Sequence, residues 1–361
     1  MTEICIVMGT RPEIIKLSPI IKYCLERKVD FFIINSNQHY SYEMDKIFFE
    51  DLELPLPKYN LGVGSKTHGN QVGNILIKTE EILMKEKPDV VLVQGDTNTT
   101  LGAALAATKL HIKVAHVEAG LRSYNRKMPE ETNRIVTDQI SDYLFCPTKI
   151  QEEILLNEGI GKEKIFVVGN TIADAVLNNI KIAEEKSKIL LKLKLSPQKY
   201  MLVTAHRSLN VDIKENLLKL LEVLEKVTGN YKGRIIYSIH PRTKKMIKEF
   251  DFNGYLKNID VIEPIGYFDF LMLEKNAEII LTDSGGLQEE ACILGVPCIT
   301  LRDETERPET VEAGANVVTG LNKDRVMGAI NNFLKNKSSW ASPYGKGNSA
   351  KKIIDSIIDI S

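Results

Sequence analysis

Ile279-Ile280-Leu281-Thr282-Asp283-Ser284-Gly285-Gly286-Leu287-Gln288-Glu289-Glu290 is an apolar run that breaks into a polar, glycine-containing turn and then into a helical pattern. The same order stands at the N-terminus, where Ile4-Cys5-Ile6-Val7-Met8 gives way to Gly9-Thr10-Arg11-Pro12-Glu13. Short apolar runs of this kind read as buried parallel strands, covered by helices on both faces of the sheet. An open α/β sheet binds ligand where the carboxyl ends of its strands emerge. Gln94-Gly95-Asp96 joins the first polar edge, and His206 and His240 join the second. The first edge offers carboxylates and the second an anion cradle, which predicts one cleft between two domains.

Working outward, strands are expected at 4–7, 31–34, 90–93, 114–117, 143–145 and 165–168, then at 201–203, 235–237, 261–262, 279–281, 298–301 and 317–318. Helical patterns separate them, so the fold class is α/β, with two Rossmann-like domains built on parallel sheets. The seam is placed near Gly169-Asn170, ahead of a charged helical stretch at 181–194. After Trp340, Ile353, Ile354, Ile357 and Ile358 recur at helical spacing and predict an amphipathic closing helix.

Composition narrows the chemistry. The chain has 361 residues, 43% of them hydrophobic and 26% charged, and 47 Lys+Arg against 48 Asp+Glu leave a formal net charge of -1. No global positive field is present to hold nucleic acid or an anionic membrane surface, so any anion is bound locally. No apolar run reaches membrane-spanning length and no basic stretch precedes an apolar N-terminal core, which predicts a cytoplasmic protein. The five cysteines lack CxxC spacing and read as small buried thiols, and the six histidines form no HExxH, so no metal is expected.

Thr10-Arg11-Pro12-Glu13 has the form of a capping box with Pro in the first turn, and Arg11 and Lys16 bring positive charge to that helix start. Pro19 is expected to kink or restart the helix. The turn does not read GxGxxG, which argues against a nicotinamide or flavin held in that manner. At Ser284-Gly285-Gly286 the glycines let a diphosphate approach backbone amides, Ser284 can donate its hydroxyl, and Glu290 can accept from sugar hydroxyls. Asp96 and Glu118 end neighbouring strands, where paired carboxylates can share acid and base duties, and the helix opening at Pro129-Glu130-Glu131 adds further acids. His206 and His240, each followed closely by an arginine, suit phosphate contact or acid/base work.

Taken together, these segments resemble the non-hydrolysing UDP-N-acetylglucosamine 2-epimerases, whose fold is similar to that of the GT-B glycosyltransferases. The resemblance rests on Gly9-Thr10-Arg11-Pro12-Glu13 with Lys16, Gln38-His39, Gly95-Asp96-Thr97, His116-Val117-Glu118-Ala119-Gly120-Leu121-Arg122, Pro129-Glu130-Glu131 with Asn133-Arg134, Gly169-Asn170-Thr171, His206-Arg207, and the Asp283 to Glu290 stretch with Glu306-Arg307-Pro308. It implies an N-terminal domain over 1–168, rejoined by a C-terminal helix at about 345–361, and a UDP-binding domain over 169–344. It further implies that Asp96, Glu118, Glu130 and His206 are catalytic, and that Arg11, Lys16, Arg134, His240, Ser284, Gly285, Gly286 and Glu290 bind the substrate or its UDP part. A homodimer without a redox cofactor follows from the same resemblance. Which acid removes a proton and which returns one is left open, and the three carboxylates stand as a group.

Two departures qualify the resemblance. A second, activating substrate molecule is implied around Gln38, His39 and Arg207, yet Ser41 and Asn74 stand where that pattern more often has glutamine and arginine. His206-Arg207 is followed by Ser208-Leu209-Asn210 rather than Arg-Glu-Asn. The rival readings are a 2-epimerase for a diacetamido uronic acid nucleotide, a hydrolysing epimerase, a GT-B glycosyltransferase and a non-catalytic sugar-nucleotide sensor.

Overall fold

A computed structural model describes residues 2–38, 48–336 and 339–360. The chain divides into two compact units, Met1–Ala175 with Tyr344–Ser361, and Val176–Pro343.

The first unit holds a parallel sheet of β1 (Ile4–Met8), β2 (Phe31–Asn35), β3 (Tyr59–Asn60), β4 (Val90–Gln94), β5 (Lys113–Val117), β6 (Tyr143–Cys146) and β7 (Ile165–Val167), in the order β3-β2-β1-β4-β5-β6-β7. Strands β1 and β4 are buried along their whole length and are apolar apart from Gln94, as burial between two helical layers requires. Strand β3 has no counterpart among the predicted runs: it is a two-residue edge strand just after Pro55 and Pro57, too short to carry a hydrophobic period. The strand order reverses between β1 and β4, so the turns after these two strands flank the switch point where ligands bind in open α/β sheets.

The second unit repeats the plan with β8 (Tyr200–Thr204), β9 (Arg234–Ser238), β10 (Asp260–Ile262), β11 (Ile279–Thr282), β12 (Cys298–Thr300) and β13 (Asn316–Val318), in the order β10-β9-β8-β11-β12-β13. Its switch point lies between β8 and β11, whose following turns carry His206 and Ser284. The closing helix, Ser349–Ile360, belongs to the first unit, where it packs on the Arg11–Arg27 helix. Its first amides, those of Ser349 and Ala350, donate to Asp174 at 3.1 Å each, and Ile353, Ile354 and Ile357 are buried.

Two local expectations are corrected. The Arg11–Arg27 helix does not restart at Pro19 but runs through it. Proline removes the amide that would bond the Ile15 carbonyl, and the Ser18 hydroxyl donates to that carbonyl instead, at 2.8 Å. Nor does the Thr10 hydroxyl cap the helix in the capping-box manner. It donates to the Glu13 carboxylate at 2.8 Å, and that carboxylate also takes the Gly9 amide at 2.9 Å. The turn is tight: a Cβ on Gly9 would lie 2.0 Å from the Ser36 hydroxyl oxygen and 2.4 Å from that of Thr99.

All five cysteines are free and buried. Among the described residues, no helix is long and apolar enough to cross a membrane, and no group of three or more potential ligands could hold a metal ion.

Candidate active site

In the first unit, register brings the acids together. Gln94 pairs with Val117, so Gly95-Asp96 and Glu118 leave the sheet on adjacent strands. Glu118 sits at φ 70°, left-handed backbone that a residue with a side chain adopts at a cost of about 1–3 kcal/mol. Its amide and that of Ala119 both donate to the Phe145 carbonyl, at 3.1 and 3.2 Å, which holds the turn. The Glu118 carboxylate meets the Lys16 ammonium at 2.7 Å and accepts from the Gln94 side-chain amide, and all three residues are buried.

Asp96 is held differently. Arg134 donates to it at 2.5 Å and to Glu131 at 2.8 Å, while the Asn133 side chain bonds the Asp96 carbonyl at 2.9 Å. The Asp96 side chain remains 30% exposed, which leaves it open to a ligand. The neighbouring acids at the start of the Pro129–Ile140 helix have diverged. Glu131 is buried and accepts from the Ser123 and Tyr124 amides at 2.9 and 2.8 Å. Burial alone would raise its carboxyl, but the Ser123 amide and Arg134 outweigh that and hold it below the usual range. Glu130, one position earlier, is half-exposed on the first turn.

Beneath these acids lies a buried network absent from the predicted site. His116 sets Nδ1 2.7 Å from Asp138 and Nε2 2.8 Å from the Gly95 carbonyl. Asp138 also binds Arg122 at 2.7 Å and accepts from the Gly120 amide at 3.2 Å. Burial works against its ionisation, and His116 and Arg122 reverse that and lower its carboxyl. The network therefore fixes the backbone on either side, at Gly95-Asp96 and at Glu118-Gly120. His116 and Arg122 stand in the motif read above, whereas Asp138 was signalled only by an acid on the helix face that carries Arg134.

Glu13 is a second residue the sequence reading left out of the site. Its carboxyl meets the Gly9 amide and the hydroxyls of Thr10, Thr97 and Thr100, the last two at 2.7 and 3.3 Å. None of these donors is charged, and burial pushes the group from 4.5 up to about 7 against their hydrogen bonds. Because the folded-state value lies above that of the unfolded chain, the stability tied to this proton is complete below 4.5 and lost as pH rises through about 7. Relative to Glu13→Gln, the wild type should lose about 3 kcal/mol between about pH 4.5 and pH 8. Urea unfolding of both proteins across that range checks this, and parallel stability curves would show that the group does not titrate there.

In the second unit, Thr282 pairs with Thr204, which places Asp283 beside the turn that carries His206. Asp283 is fully buried and accepts from the amides of His206 and Arg207, each at 3.0 Å, and from the Asn210 side chain at 3.1 Å. Its carboxylate lies 3.5 Å from His206 Nδ1. The His206 ring lies over that of His240, with centroids 5.6 Å apart. His240 accepts the Arg242 amide on Nδ1 at 3.1 Å, which leaves Nε2 as its protonated nitrogen. Burial lowers both imidazoles, joined by Arg207 at His206 and by Arg242 at His240, so both are neutral at pH 7.

The Gly285–Leu294 helix opens beside them. Ser284 is its N-cap and makes no side-chain capping bond, and the first amides of a helix are donors that attract anions. Gly285 sits in a close approach: a Cβ there would lie 3.0 Å from the Glu306 carboxyl, tight enough to press on it. Glu306 is buried among Arg302 at 2.8 Å, Arg207 at 3.6 Å and Arg307. Burial opposes its ionisation, but Arg307 and Arg302 outweigh it and hold the carboxyl far below the usual range.

Each predicted residue other than His39 is described within its own unit. Arg11, Lys16 and Asp96 follow β1 and β4 at the first switch point, with Glu118, Glu130 and Arg134 on the segment after β5, and His206, Arg207, Ser284, Gly285, Gly286 and Glu290 follow β8 and β11 at the second, with His240 after β9. Lys16 and Arg134, read as ligand contacts, also neutralise carboxylates. Arg11 lies over the Phe48 ring, 4.8 Å from its centroid. The Gln38 side-chain oxygen accepts from the Thr99 amide and hydroxyl at 3.2 and 2.9 Å, a contact that anchors a helix start. His39 lies outside the described residues, as does Ser41.

Two parallel-sheet α/β units of this order are those of the GT-B-like nucleotide-sugar enzymes that this chain resembles in structure. The family model described as UDP-N-acetylglucosamine 2-epimerase matches residues 23–358. A UDP-N-acetylglucosamine 2-epimerase of Methanocaldococcus jannaschii is 58% identical over 357 residues, covering 98% of each chain. A crystal structure of the Methanocaldococcus jannaschii UDP-GlcNAc 2-epimerase in complex with UDP-GlcNAc and UDP aligns at 57% identity with TM-score 0.93, covering 100% of both chains. The Neisseria meningitidis enzyme bound to UDP-GlcNAc aligns at 33% identity with TM-score 0.91, covering 99% of this chain and 100% of that one. The chain belongs to the UDP-N-acetylglucosamine 2-epimerase family, a family of isomerases.

Proposed function

We propose that this protein interconverts UDP-N-acetylglucosamine and UDP-N-acetylmannosamine, as a homodimer, by eliminating UDP and adding it back. The observation that carries the reading is the emergence of Asp96 and Glu118 side by side at a switch point, in a chain 57% identical to an epimerase that holds UDP-GlcNAc and UDP.

The C2 proton of an N-acetylhexosamine has no adjacent carbonyl to acidify it, so its removal must be assisted by departure of the leaving group. A carboxylate of the Asp96, Glu118 and Glu130 group takes that proton. The C2–H electrons form a C1=C2 double bond as the anomeric C–O bond breaks, and its electron pair leaves on the β-phosphate of UDP. The product pair is 2-acetamidoglucal and UDP. Addition of UDP to C1, with protonation of C2 on the opposite face, gives the epimer.

This chain's own groups suit those tasks. The amides at Gly285-Gly286 and the Ser284 hydroxyl stabilise charge developing on the diphosphate. His206, neutral and held by the Asp283 turn, can donate a hydrogen bond to the departing oxygen. Lys16 pairs with Glu118 and Arg134 with Asp96, so each carboxylate stands against a cation. Exclusion of water would keep the glycal bound between the two half-reactions.

Incubation with UDP-N-acetylglucosamine alone in deuterium oxide tests the reading. UDP-N-acetylmannosamine carrying deuterium at C2, without net release of UDP, is the expected result. Unlabelled product, or a requirement for an acceptor, would remove the elimination route. Turnover confined to a diacetamido uronic acid nucleotide would reassign the substrate.

A further inference from the structure

The second unit holds a buried acid that the proposed mechanism does not use. Glu274 lies on the Tyr267–Asn276 helix, which packs on the Gly285–Leu294 helix. It is fully buried, and among the described residues no N–H or hydroxyl donor reaches either oxygen of its carboxyl. The group within its hydrogen-bonding reach is a second carboxyl, that of Glu290, which is itself 8% exposed.

We infer that Glu274 is a positioning residue for nucleotide binding: through a shared proton its carboxyl holds that of Glu290 in place to accept hydrogen bonds from the ribose hydroxyls of UDP. The inference rests on the reading of Glu290 as the acid that meets the sugar of the nucleotide.

Two carboxyls in contact without water cannot both ionise, because each charge would lie in a medium of low polarity beside its like. The ionisable groups that interact with Glu274 are Glu290, Tyr267, Tyr200 and Cys298, none of which can carry positive charge. The Tyr200 hydroxyl donates to the Leu273 carbonyl at 2.6 Å and is not directed at the pair. Tyr267 lies near both acids and near Asn179, both neutral groups. Burial, and then Glu290, raise the Glu274 carboxyl well above the usual range. One proton therefore stays with the pair at neutral pH. A Glu274 that keeps it is a donor, and among the described residues the carboxyl facing it is that of Glu290.

The consequence is specificity for the ribose hydroxyls. Titration calorimetry with UDP and with 2′-deoxy-UDP separates this role from a general structural one. The wild type is expected to bind UDP more tightly than the deoxy nucleotide. Glu274→Gln has the shape of the neutral acid and can donate from its amide, so it should keep that preference. Glu274→Leu and Glu274→Asp, which supply no donor at that distance, should lose about tenfold in UDP affinity and little for the deoxy form. A folded Leu or Asp variant that binds both nucleotides as the wild type does, or loses both equally, overturns the inference. So does loss of the preference in Glu274→Gln, which keeps the test decisive if the other two do not fold. A wild type that binds UDP but does not distinguish the two nucleotides removes the role of Glu290 as well. A wild type that binds neither removes the proposed function and the inference together.

Discussion

Asp96→Asn, Glu118→Gln and Glu130→Gln are each expected to retain UDP binding while turnover falls by about 10²- to 10⁴-fold, the range for loss of a positioned acid or base. The three should differ in stability, and that difference separates chemistry from architecture. Glu130 is half-exposed, so its amide should melt as the wild type does. Glu118 is 5% exposed against a Lys16 that is 6% exposed, and its amide removes the carboxylate from a buried ion pair, at a cost of about 3 kcal/mol. Asp96→Asn is intermediate, because Arg134 keeps Glu131 as a partner at 2.8 Å. Steady-state rates, UDP titrations and thermal melts on the three variants check the pattern. Near-normal turnover in all of them would refute the proposed chemistry.

Asp283→Ala is expected to be the most damaging single change in the second unit. The carboxylate is fully buried and takes two backbone amides and the Asn210 side chain, all of which lose this acceptor in the variant. Each orphaned donor costs about 1–3 kcal/mol, so a loss of at least about 3 kcal/mol follows, or a fall of about 10 °C in melting temperature for a unit of this size. Asp283→Asn keeps one acceptor oxygen and should fall less. His206 loses its backbone anchor in Asp283→Ala, so activity should drop even at temperatures where that variant remains folded. A melting temperature for Asp283→Ala within about 2 °C of the wild type would show that the turn stands without it.

How much of this was written in the sequence depends on the range of the interaction. The apolar runs marked twelve strands and the alternation gave two parallel sheets, because strand burial between helical layers is a local property of five or six residues. The turns Gly9-Thr10-Arg11, Gly95-Asp96 and Ser284-Gly285-Gly286 were legible for the same reason, since each is a strand end and a helix start within a few positions. Tyr59–Asn60 was not, because two residues on an edge carry no period. The behaviour of the helix at Pro19 was not either, since a serine hydroxyl took over the carbonyl that proline leaves unbonded.

The sequence by itself thus determined the fold class, the strand ends that bear chemistry and the acids gathered there. Only the tertiary structure decided which of those acids is held by which partner. Glu130 and Glu131 are alike as neighbours in a motif, yet burial and the Ser123 and Tyr124 amides make the second a fixture of its loop and leave the first half-exposed. Lys16 reaches Glu118 across 102 residues, Asn210 reaches Asp283 across 73, and Glu274 meets Glu290 from a different helix. Such pairs are set by strand register and by the removal of water around them. A carboxyl in the chain carries no mark of whether it will face a cation, an amide or another acid.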